Sequence, residues 1–152
     1  MLENINLHQK LKKSEYSPLI KDLEIQLSEL QQKTKKLNIP VIIVFEGWDA
    51  AGKGTLINRL LLALDPRGVV VHPINPPNME EQLRPFLWRF WIKTPEKGRL
   101  AIFDRSWYGR VLVGRVDRLV KKKEWRSAYQ DIKSFERQLV SDGTVVIKFF
   151  LH

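Results

Sequence analysis

Residues 41–56 read VIIVFEGWDAAGKGTL, and this stretch decides the fold. Its first five residues, Val41–Phe45, are all apolar and mostly β-branched, which is typical of a strand buried on both faces. Gly47, Gly52 and Lys53 then fit the pattern G-x-x-x-x-G-K, and a segment with helical apolar spacing follows them. A buried strand, a glycine-rich turn and a helix in this order predict a phosphate-binding loop.

The chemistry of such a loop explains its residue types. The glycines let successive backbone N–H groups curl around phosphate oxygens, and the helix N-terminus adds its partial positive charge. Lys53 is predicted to reach the phosphoryl group that is transferred. The bland alternative is a glycine-rich turn with an incidental lysine, which the flanking strand and helix make the weaker interpretation.

One position departs from the usual loop. Gly54 follows Lys53, where a serine or threonine normally binds Mg²⁺, and Thr55 lies one place too late to be a secure substitute. Asp49, inside the loop, is predicted to supply an oxygen ligand instead, because Mg²⁺ favours one or two carboxylates together with phosphates and water. The alternative role for Asp49 is to cap a turn amide.

Outward from the loop, strands alternate with helices, which predicts a parallel, doubly wound α/β sheet. Ser17 and Pro18 suit the start of a first, amphipathic helix, and Pro85 is expected to kink the third helix or to begin its second part. Residues 1–16 are expected to be a flexible N-terminus, and 17–152 the domain. The predicted strands span 41–45, 69–71, 100–103 and 144–151, and the predicted helices span about 18–37, 56–64, 79–91 and 125–139.

The apolar stripe of the first helix is expected to pack on the domain core, with a short coiled coil as the lesser alternative. Its members are Ile20, Leu23, Leu27, Leu30 and Leu37.

The third predicted strand ends in Asp104, within LAIFDRSWYGR. In a parallel sheet this carboxylate lies at the same edge as the phosphate loop, so it is predicted to bind a metal either directly or through another ligand of the metal. Arg105 and Arg110 follow on that edge, and guanidinium groups suit the charge that develops on a transferring phosphoryl. The alternative for each arginine is a solvated surface charge.

Charge is distributed unevenly along the 152 residues, whose net charge is +9. Residues 84–126 hold thirteen of the 26 lysines and arginines but four of the 17 acidic residues, so they carry the whole excess. Such a patch implies a polyanionic partner: nucleic acid, an acidic membrane surface or a phosphate-rich small molecule. The run Lys121–Lys123 is interpreted as a solvated face, although it could guide an extended anion.

Other classes are excluded by composition. The length suits one domain, and the absence of cysteine excludes a disulfide scaffold, a thiol nucleophile and a cysteine zinc site. No apolar run is long enough to cross a bilayer and the polar N-terminus is unlike a secretory signal, so a cytoplasmic location is expected.

The aromatic and basic segment 84–93 could stack nucleobases, but core packing of Phe86, Leu87, Phe90 and Trp91 is favoured, with Arg84 and Arg89 facing water.

Three motifs in order, FEGWDAAGKGTL, FLWRFW and IFDRSWYGRVLV, resemble the second polyphosphate kinase family, and within it the polyphosphate:AMP phosphotransferase type. The resemblance runs from about Leu19 to His152. It implies a P-loop kinase-like three-layer sandwich and Mg²⁺-dependent phosphoryl transfer between inorganic polyphosphate and a nucleoside mono- or diphosphate (AMP, ADP or GDP). A homo-oligomer is expected as well.

The family's Walker A residues match Gly47, Asp49, Gly52, Lys53 and Gly54. Its Walker B pair matches Asp104 and Arg105, and its later basic residue matches Arg110. The resemblance therefore implies Lys53, Asp104 and Arg105 as catalytic residues, Asp49 and Asp104 as metal ligands, and the loop residues, Thr55, Arg105 and Arg110 as phosphate- or nucleotide-binding residues.

Two departures accompany the resemblance. Family members of this kind usually read VLVER where this chain reads VLVGR, so Gly114 replaces a glutamate. The family also has a basic lid and further helices after the fourth strand, and their absence here predicts phosphate binding with weak or no turnover. Two other functions stay open: an ATP-dependent nucleoside monophosphate kinase of the thymidylate kinase kind, and a non-catalytic module that binds polyanions, with nucleic acid the less favoured ligand.

Overall fold

A computed structural model describes residues 10–152, and the helices and strands alternate as the sequence predicts. Two short 3-10 turns, Pro66–Gly68 and Trp107–Arg110, join the longer elements. In chain order the elements are α1 (Lys13–Lys36), β1 (Val41–Gly47), α2 (Lys53–Leu62), β2 (Val69–Pro73), α3 (Met79–Gln82), α4 (Trp88–Trp91), β3 (Leu100–Asp104), α5 (Val113–Val116), α6 (Lys122–Ser141) and β4 (Val145–Leu151).

The four strands form one parallel sheet in the order β2-β3-β1-β4. Val41 pairs with Leu100 on one side and with Val145 on the other, so β1 lies in the centre. Because chain order reverses beside β1, the carboxyl ends of β1 and β3 meet at a switch point, where parallel sheets hold their ligands. The predicted doubly wound α/β fold is confirmed.

Successive side chains of the central strands point to opposite faces of the sheet and belong to two separate cores, as expected for strands buried on both faces. Ile42, Val44 and Phe103 pack under α4, α6 and the turn after β3. Ile43 and Ile102 pack under α2, and Leu27 of α1 packs against the same cluster. The molecule is therefore a three-layer sandwich, as predicted.

The first helix differs from the prediction at its start. It begins at Lys13 with Lys12 at the N-cap, so Ser17 is not the cap and Pro18 lies inside the helix. Because proline has no backbone N–H, the helical hydrogen bond to the carbonyl of Ser14 is missing. This position lies near the helix end, where the backbone can adjust to the proline ring. Of the predicted flexible segment 1–16, residues 1–9 lie outside the described part, and residues 13–16 are helical.

The apolar stripe of α1 is only partly used, so the prediction that it packs on the core is wrong for most of its members. Leu27 packs against the core, whereas Leu23, Leu30 and Leu37 are more than half exposed. Polar contacts at helical spacing attach the helix instead: Glu24 pairs with Arg59 at 2.6 Å, and buried Gln31 exchanges two hydrogen bonds with the backbone of Asp65.

Residues 83–87 interrupt the predicted helix 79–91, with Pro85 in the break. An Asn78–Glu81 capping box starts the first piece, and Phe90 of the second is buried as predicted. Arg89 does not face water: its side chain is 12% exposed, and it pairs at 3.2 Å with Glu81, which is 10% exposed. Trp91 is 38% exposed, so its predicted burial is only partial.

Among the described helices, none combines the length and the apolar composition that crossing a membrane requires.

Candidate functional site

A cleft of about 530 Å³ opens at the carboxyl edge of the sheet, where β1, β2 and β3 end. It brings together predicted site residues from the phosphate loop and from the end of β3. The lining residues are Asp49, Ala50, Gly52, Lys53, Gly54, Thr55, Pro73, Ile74, Asn75, Asp104 and Arg105.

The phosphate loop closes on itself through Lys53. The ammonium of this buried side chain donates to the backbone carbonyls of Gly47, at 3.0 Å, and of Trp48, at 2.7 Å. Gly52 is the N-cap of α2 with φ 90°, a left-handed conformation that suits glycine. Ala50 adopts φ 63° without being glycine, so the loop holds backbone strain of the kind that clusters at ligand sites. The helix N-terminus opens into the cleft.

Gly47 has a packing role that the motif alone does not reveal. Its φ is 137°, and a Cβ placed on it would lie 2.0 Å from the carbonyl oxygen of Leu151 in β4. No side chain fits between these two strands. The glycine therefore holds the loop against β4, whatever it contributes to phosphate binding.

The two predicted metal ligands both line the cleft. Arg105 donates from Nη2 to Oδ1 of Asp49 at 2.5 Å, and the Asp49 side chain is 87% exposed. Among residues 10–152, no three His, Cys, Asp or Glu side chains are grouped closely enough to hold a metal on their own. Two carboxylates in one cleft nevertheless suit Mg²⁺, which takes most of its ligands from phosphates and water.

Gly54 and Thr55 lie in the first turn of α2 and are exposed to the cleft. A Cβ on Gly54 would meet nothing within 4 Å, so the protein itself does not require glycine there.

Residues 105–110, which we call the arginine turn, carry the two predicted arginines. Arg105 adopts φ 65°, another left-handed residue that is not glycine. Arg110 pairs with Glu124 at 3.3 Å and stacks over the ring of Phe86 at 5.1 Å. It is not among the residues that line the cleft, so the structure brings Arg105 but not Arg110 to the phosphate loop.

Glu46 is a residue of this site that the sequence reasoning missed. It links the phosphate loop to the arginine turn, because Ser106 Oγ donates to Glu46 Oε1 at 2.6 Å. Burial raises the pKa of the Glu46 carboxyl above its ordinary value of 4.5, while hydrogen bonds from Ser106 and the charges of Lys53 and Arg105 oppose the rise. The only sequence signal was a charged residue directly after a wholly apolar strand.

The loop after β2 was also missed as part of the site. Pro73, Ile74 and Asn75 form the wall of the cleft opposite the phosphate loop. The N–H of Ile74 donates to the Asp104 carbonyl at 3.0 Å, and Arg89 donates to the Asn75 carbonyl at 2.9 Å. In the sequence, the prolines at 73, 76 and 77 indicate only that the strand ends there.

The basic stretch runs from the cleft wall into the start of α6. Lys121–Lys123, Arg118 and Arg126 are exposed, as predicted for a solvated face. Arg115 stacks over the ring of Trp125 at 4.6 Å.

The Polyphosphate kinase 2 (PPK2) family profile matches residues 10–152 of this chain. A protein of Pseudomonas syringae pv. tomato named polyphosphate:AMP phosphotransferase is 42% identical over 151 residues. The aligned region is 99% of this chain and 30% of that relative. An AMP/ADP-polyphosphate phosphotransferase of Meiothermus ruber is 42% identical over 74% of this chain and 42% of its own length. The chain thus spans less than half of each.

Two solved structures of polyphosphate kinase 2 proteins also resemble this chain. A crystal structure described as a polyphosphate kinase 2 of Pseudomonas aeruginosa aligns with a TM-score of 0.93 at 42% identity, covering 99% of this chain and 33% of that one. Another, polyphosphate kinase 2 of Arthrobacter aurescens, aligns with a TM-score of 0.91 at 30% identity, covering all of this chain and 57% of that one.

Proposed function

This chain belongs to the polyphosphate kinase 2 family, and from that membership we propose that it serves phosphoryl transfer between inorganic polyphosphate and a nucleoside mono- or diphosphate. One observation carries the proposal. A single cleft contains a phosphate loop, a helix N-terminus, two carboxylates and an arginine, which are the parts that P-loop phosphoryl transfer uses.

Phosphoryl transfer demands positioning and charge stabilisation more than covalent chemistry. The backbone amides at the start of α2, among them those of Gly52, Gly54 and Thr55, would hold phosphate oxygens. Lys53 would exchange its two carbonyl partners for the phosphoryl group, since an ammonium satisfied by neutral carbonyls gains more from an anion.

Arg105 would act on the other side of the transferred group. Its guanidinium already reaches across the cleft mouth to Asp49, so a phosphate chain entering there would meet it without a large movement. Arg110, outside the cleft, would extend the contact to more distant phosphates of the chain.

Asp49 and Asp104 would hold Mg²⁺. The ion would supply charge neutralisation for the phosphate oxygens. The pair of Asp49 with Arg105 leaves Oδ2 of Asp49 with no hydrogen bond from the described residues.

The names of the relatives guide the choice of substrates. The two relatives described above specify AMP, and AMP or ADP, as partners of polyphosphate. We extend to this chain the nucleotide class that these names share and propose polyphosphate as the donor that distinguishes it from an ATP-dependent kinase. The cytoplasmic location and the homo-oligomer stay predictions.

Lys53→Met tests the proposal because methionine keeps the buried stem and removes the charge. We expect polyphosphate to bind about 10- to 150-fold more weakly, since a lost hydrogen bond to a charged group is worth about 1.5–3 kcal/mol. Isothermal titration calorimetry with polyphosphate of one chain length measures this. Lys133→Met, on an exposed part of α6, is the matched control and should stay within about twofold.

Equal affinity for the wild type and Lys53→Met would sink the proposal and favour a polyanion-binding surface, whose affinity would depend on salt alone. A second assay mixes the protein with Mg²⁺, AMP or ADP and either polyphosphate or ATP, and follows the nucleotides by chromatography. Transfer from ATP without transfer from polyphosphate would favour the ATP-dependent kinase.

A further inference from the structure

Glu136, on α6, gathers three hydrogen-bond donors on its two carboxylate oxygens. Oε1 accepts from the indole Nε1 of Trp107 at 3.1 Å and from the hydroxyl of Tyr108 at 2.5 Å. Oε2 accepts from the ammonium of Lys148, in β4, at 2.9 Å. Lys148 also donates to the Tyr108 hydroxyl at 3.0 Å, which closes a triangle of the three side chains.

Trp107 cannot move without the core moving. It is 1% exposed, and aromatic rings surround its indole edge-on. The ring centroids lie at 5.7 Å for Phe90, 5.5 Å for Phe103 and 4.9 Å for Phe135. Close-packed rings in these arrangements fix the direction of the indole N–H. The indole N–H therefore points at the carboxylate of Glu136.

We propose that Glu136 is a positioning residue that sets the arginine turn, and with it Arg105 and Arg110, for binding phosphate. The inference rests on the proposed function, because the two arginines are assigned to contact phosphate groups only in that function. Trp107 and Tyr108 are the central side chains of the turn, so holding both on one carboxylate fixes its backbone between the two arginines.

Helix α6 contacts the arginine turn at two points. Near the start of the helix Glu124 pairs with Arg110, and three turns later Glu136 receives Trp107 and Tyr108. Two separate attachments to one rigid helix leave the turn little freedom to rotate. A guanidinium that contacts a phosphate chain gains from such pre-organisation, because less freedom is lost on binding.

The charge of Glu136 matters as well as its shape. The side chain is 18% exposed, and a carboxylate that is mostly buried is costly unless donors surround it. Burial raises the pKa of the Tyr108 hydroxyl and the hydrogen bond to Glu136 raises it further, while Lys148 opposes the rise. Tyr108 therefore stays protonated and keeps donating.

Glu136→Gln keeps the volume but turns one oxygen into an amide donor that faces Lys148. We expect its dissociation constant for polyphosphate to rise about tenfold, because arginine side chains that are no longer pre-organised lose more freedom when they bind. Two controls lie on the same helix. Asp131→Asn removes an exposed carboxylate and should change nothing, and Leu139→Ala opens the α6 core packing without touching the network.

The controls separate positioning from mere stability. A structural role lowers the melting temperature but leaves the affinity of the folded molecules unchanged, which is the result expected for Leu139→Ala. Glu136→Gln should change the affinity measured well below its melting temperature. Titration of tyrosine absorbance at 295 nm gives a spectroscopic readout: the substitution should lower the pKa of Tyr108, because it removes the negative charge beside the hydroxyl.

An unchanged affinity of folded Glu136→Gln, or an equal loss in Leu139→Ala, would overturn the inference while leaving the proposed function standing. Absence of polyphosphate binding by the wild type would overturn both. Should Glu136→Gln not fold, Tyr108→Phe takes its place, with Tyr129→Phe on the exposed face of α6 as control. We then expect a loss of about threefold for Tyr108→Phe, and no loss would overturn the inference.

Discussion

The phosphate loop and the arginine turn leave the sheet side by side, yet they are held in different ways. The loop is held mainly from within, by Lys53 on two of its own carbonyls and by Gly52 at the start of α2. The arginine turn is held by side chains far away in sequence, Glu46 and Glu136. A turn held from within, such as the phosphate loop, can be recognised from a short sequence motif. The arginine turn depends on glutamates that only the complete fold brings beside it.

Gly47→Ala should give the largest effect, because Gly47 is the position where the loop does depend on a distant element. The new methyl group would meet the Leu151 carbonyl at 2.0 Å and would also require φ 137° of an alanine. We expect a loss of about 3–6 kcal/mol in the free energy of unfolding, measured by urea denaturation.

Gly54→Ala is the matched control within the same loop. Its Cβ meets open space, and alanine favours the helix, so stability should stay level or rise by up to about 1 kcal/mol. Similar losses for both glycines would mean that the loop is sensitive to any side chain and that the contact with β4 is not decisive.

The two tryptophans of these turns offer the next comparison. Trp107 is fully buried in the arginine turn, and Trp48 in the phosphate loop is 62% exposed. We expect Trp107→Ala to cost about 3–5 kcal/mol and Trp48→Ala to stay within about 0.5 kcal/mol. Thermal unfolding followed by circular dichroism measures both. A comparable loss for Trp48→Ala would contradict the division between a locally held loop and a turn held by the core.

This contrast explains what could be predicted from the sequence. The loop glycines and Lys53 were found within one short segment, and Asp104 with Arg105 followed from the end of a buried strand. The structure brings these residues to one cleft because all parallel strands present their carboxyl ends at one edge. The parallel, doubly wound α/β class followed from the alternation of strands and helices, and the three-layer sandwich from the family resemblance.

What was missed is non-local. Glu46 looked like a strand-end charge, and its partner Ser106 lies 60 residues later. Helical periodicity could mark the leucines of α1, but it could not say that Glu24 and Gln31 would carry the contact while Leu23 and Leu30 stayed exposed. A solvent-facing role for Arg89 was the natural assignment until Glu81 was placed beside it.

Glu46→Gln tests the link between the two turns through pH. The carboxyl has a raised pKa, so its contribution to stability is fully present below about 4.5 and is lost as the pH rises through the raised value. Glutamine keeps an oxygen for Ser106 and cannot ionise. The stability of the variant relative to the wild type should therefore increase as the pH rises from 4.5, although Lys53 and Arg105 lose a nearby negative charge.

Melting temperatures between pH 4 and pH 8 measure the effect, with Glu29→Gln on the exposed side of α1 as control. A difference between Glu46→Gln and the wild type that does not vary with pH would contradict the link.

Gly114→Ala should give the smallest effect and shows how far the arginine turn depends on α5. The position is buried, and a Cβ would lie 2.9 Å from Val120 Cγ2 and 3.3 Å from the carbonyl of Gly109 in the turn. A small shift of Val120 relieves part of the crowding, and the preference of alanine for the helix, about 1 kcal/mol, offsets only part of what remains. We expect a net loss of about 1 kcal/mol in urea denaturation and none for Gly109→Ala, whose Cβ meets open space. A loss as large as that of Trp107→Ala would mean that α5 holds the turn as firmly as the aromatic core does, and that glycine at position 114 is a requirement of packing.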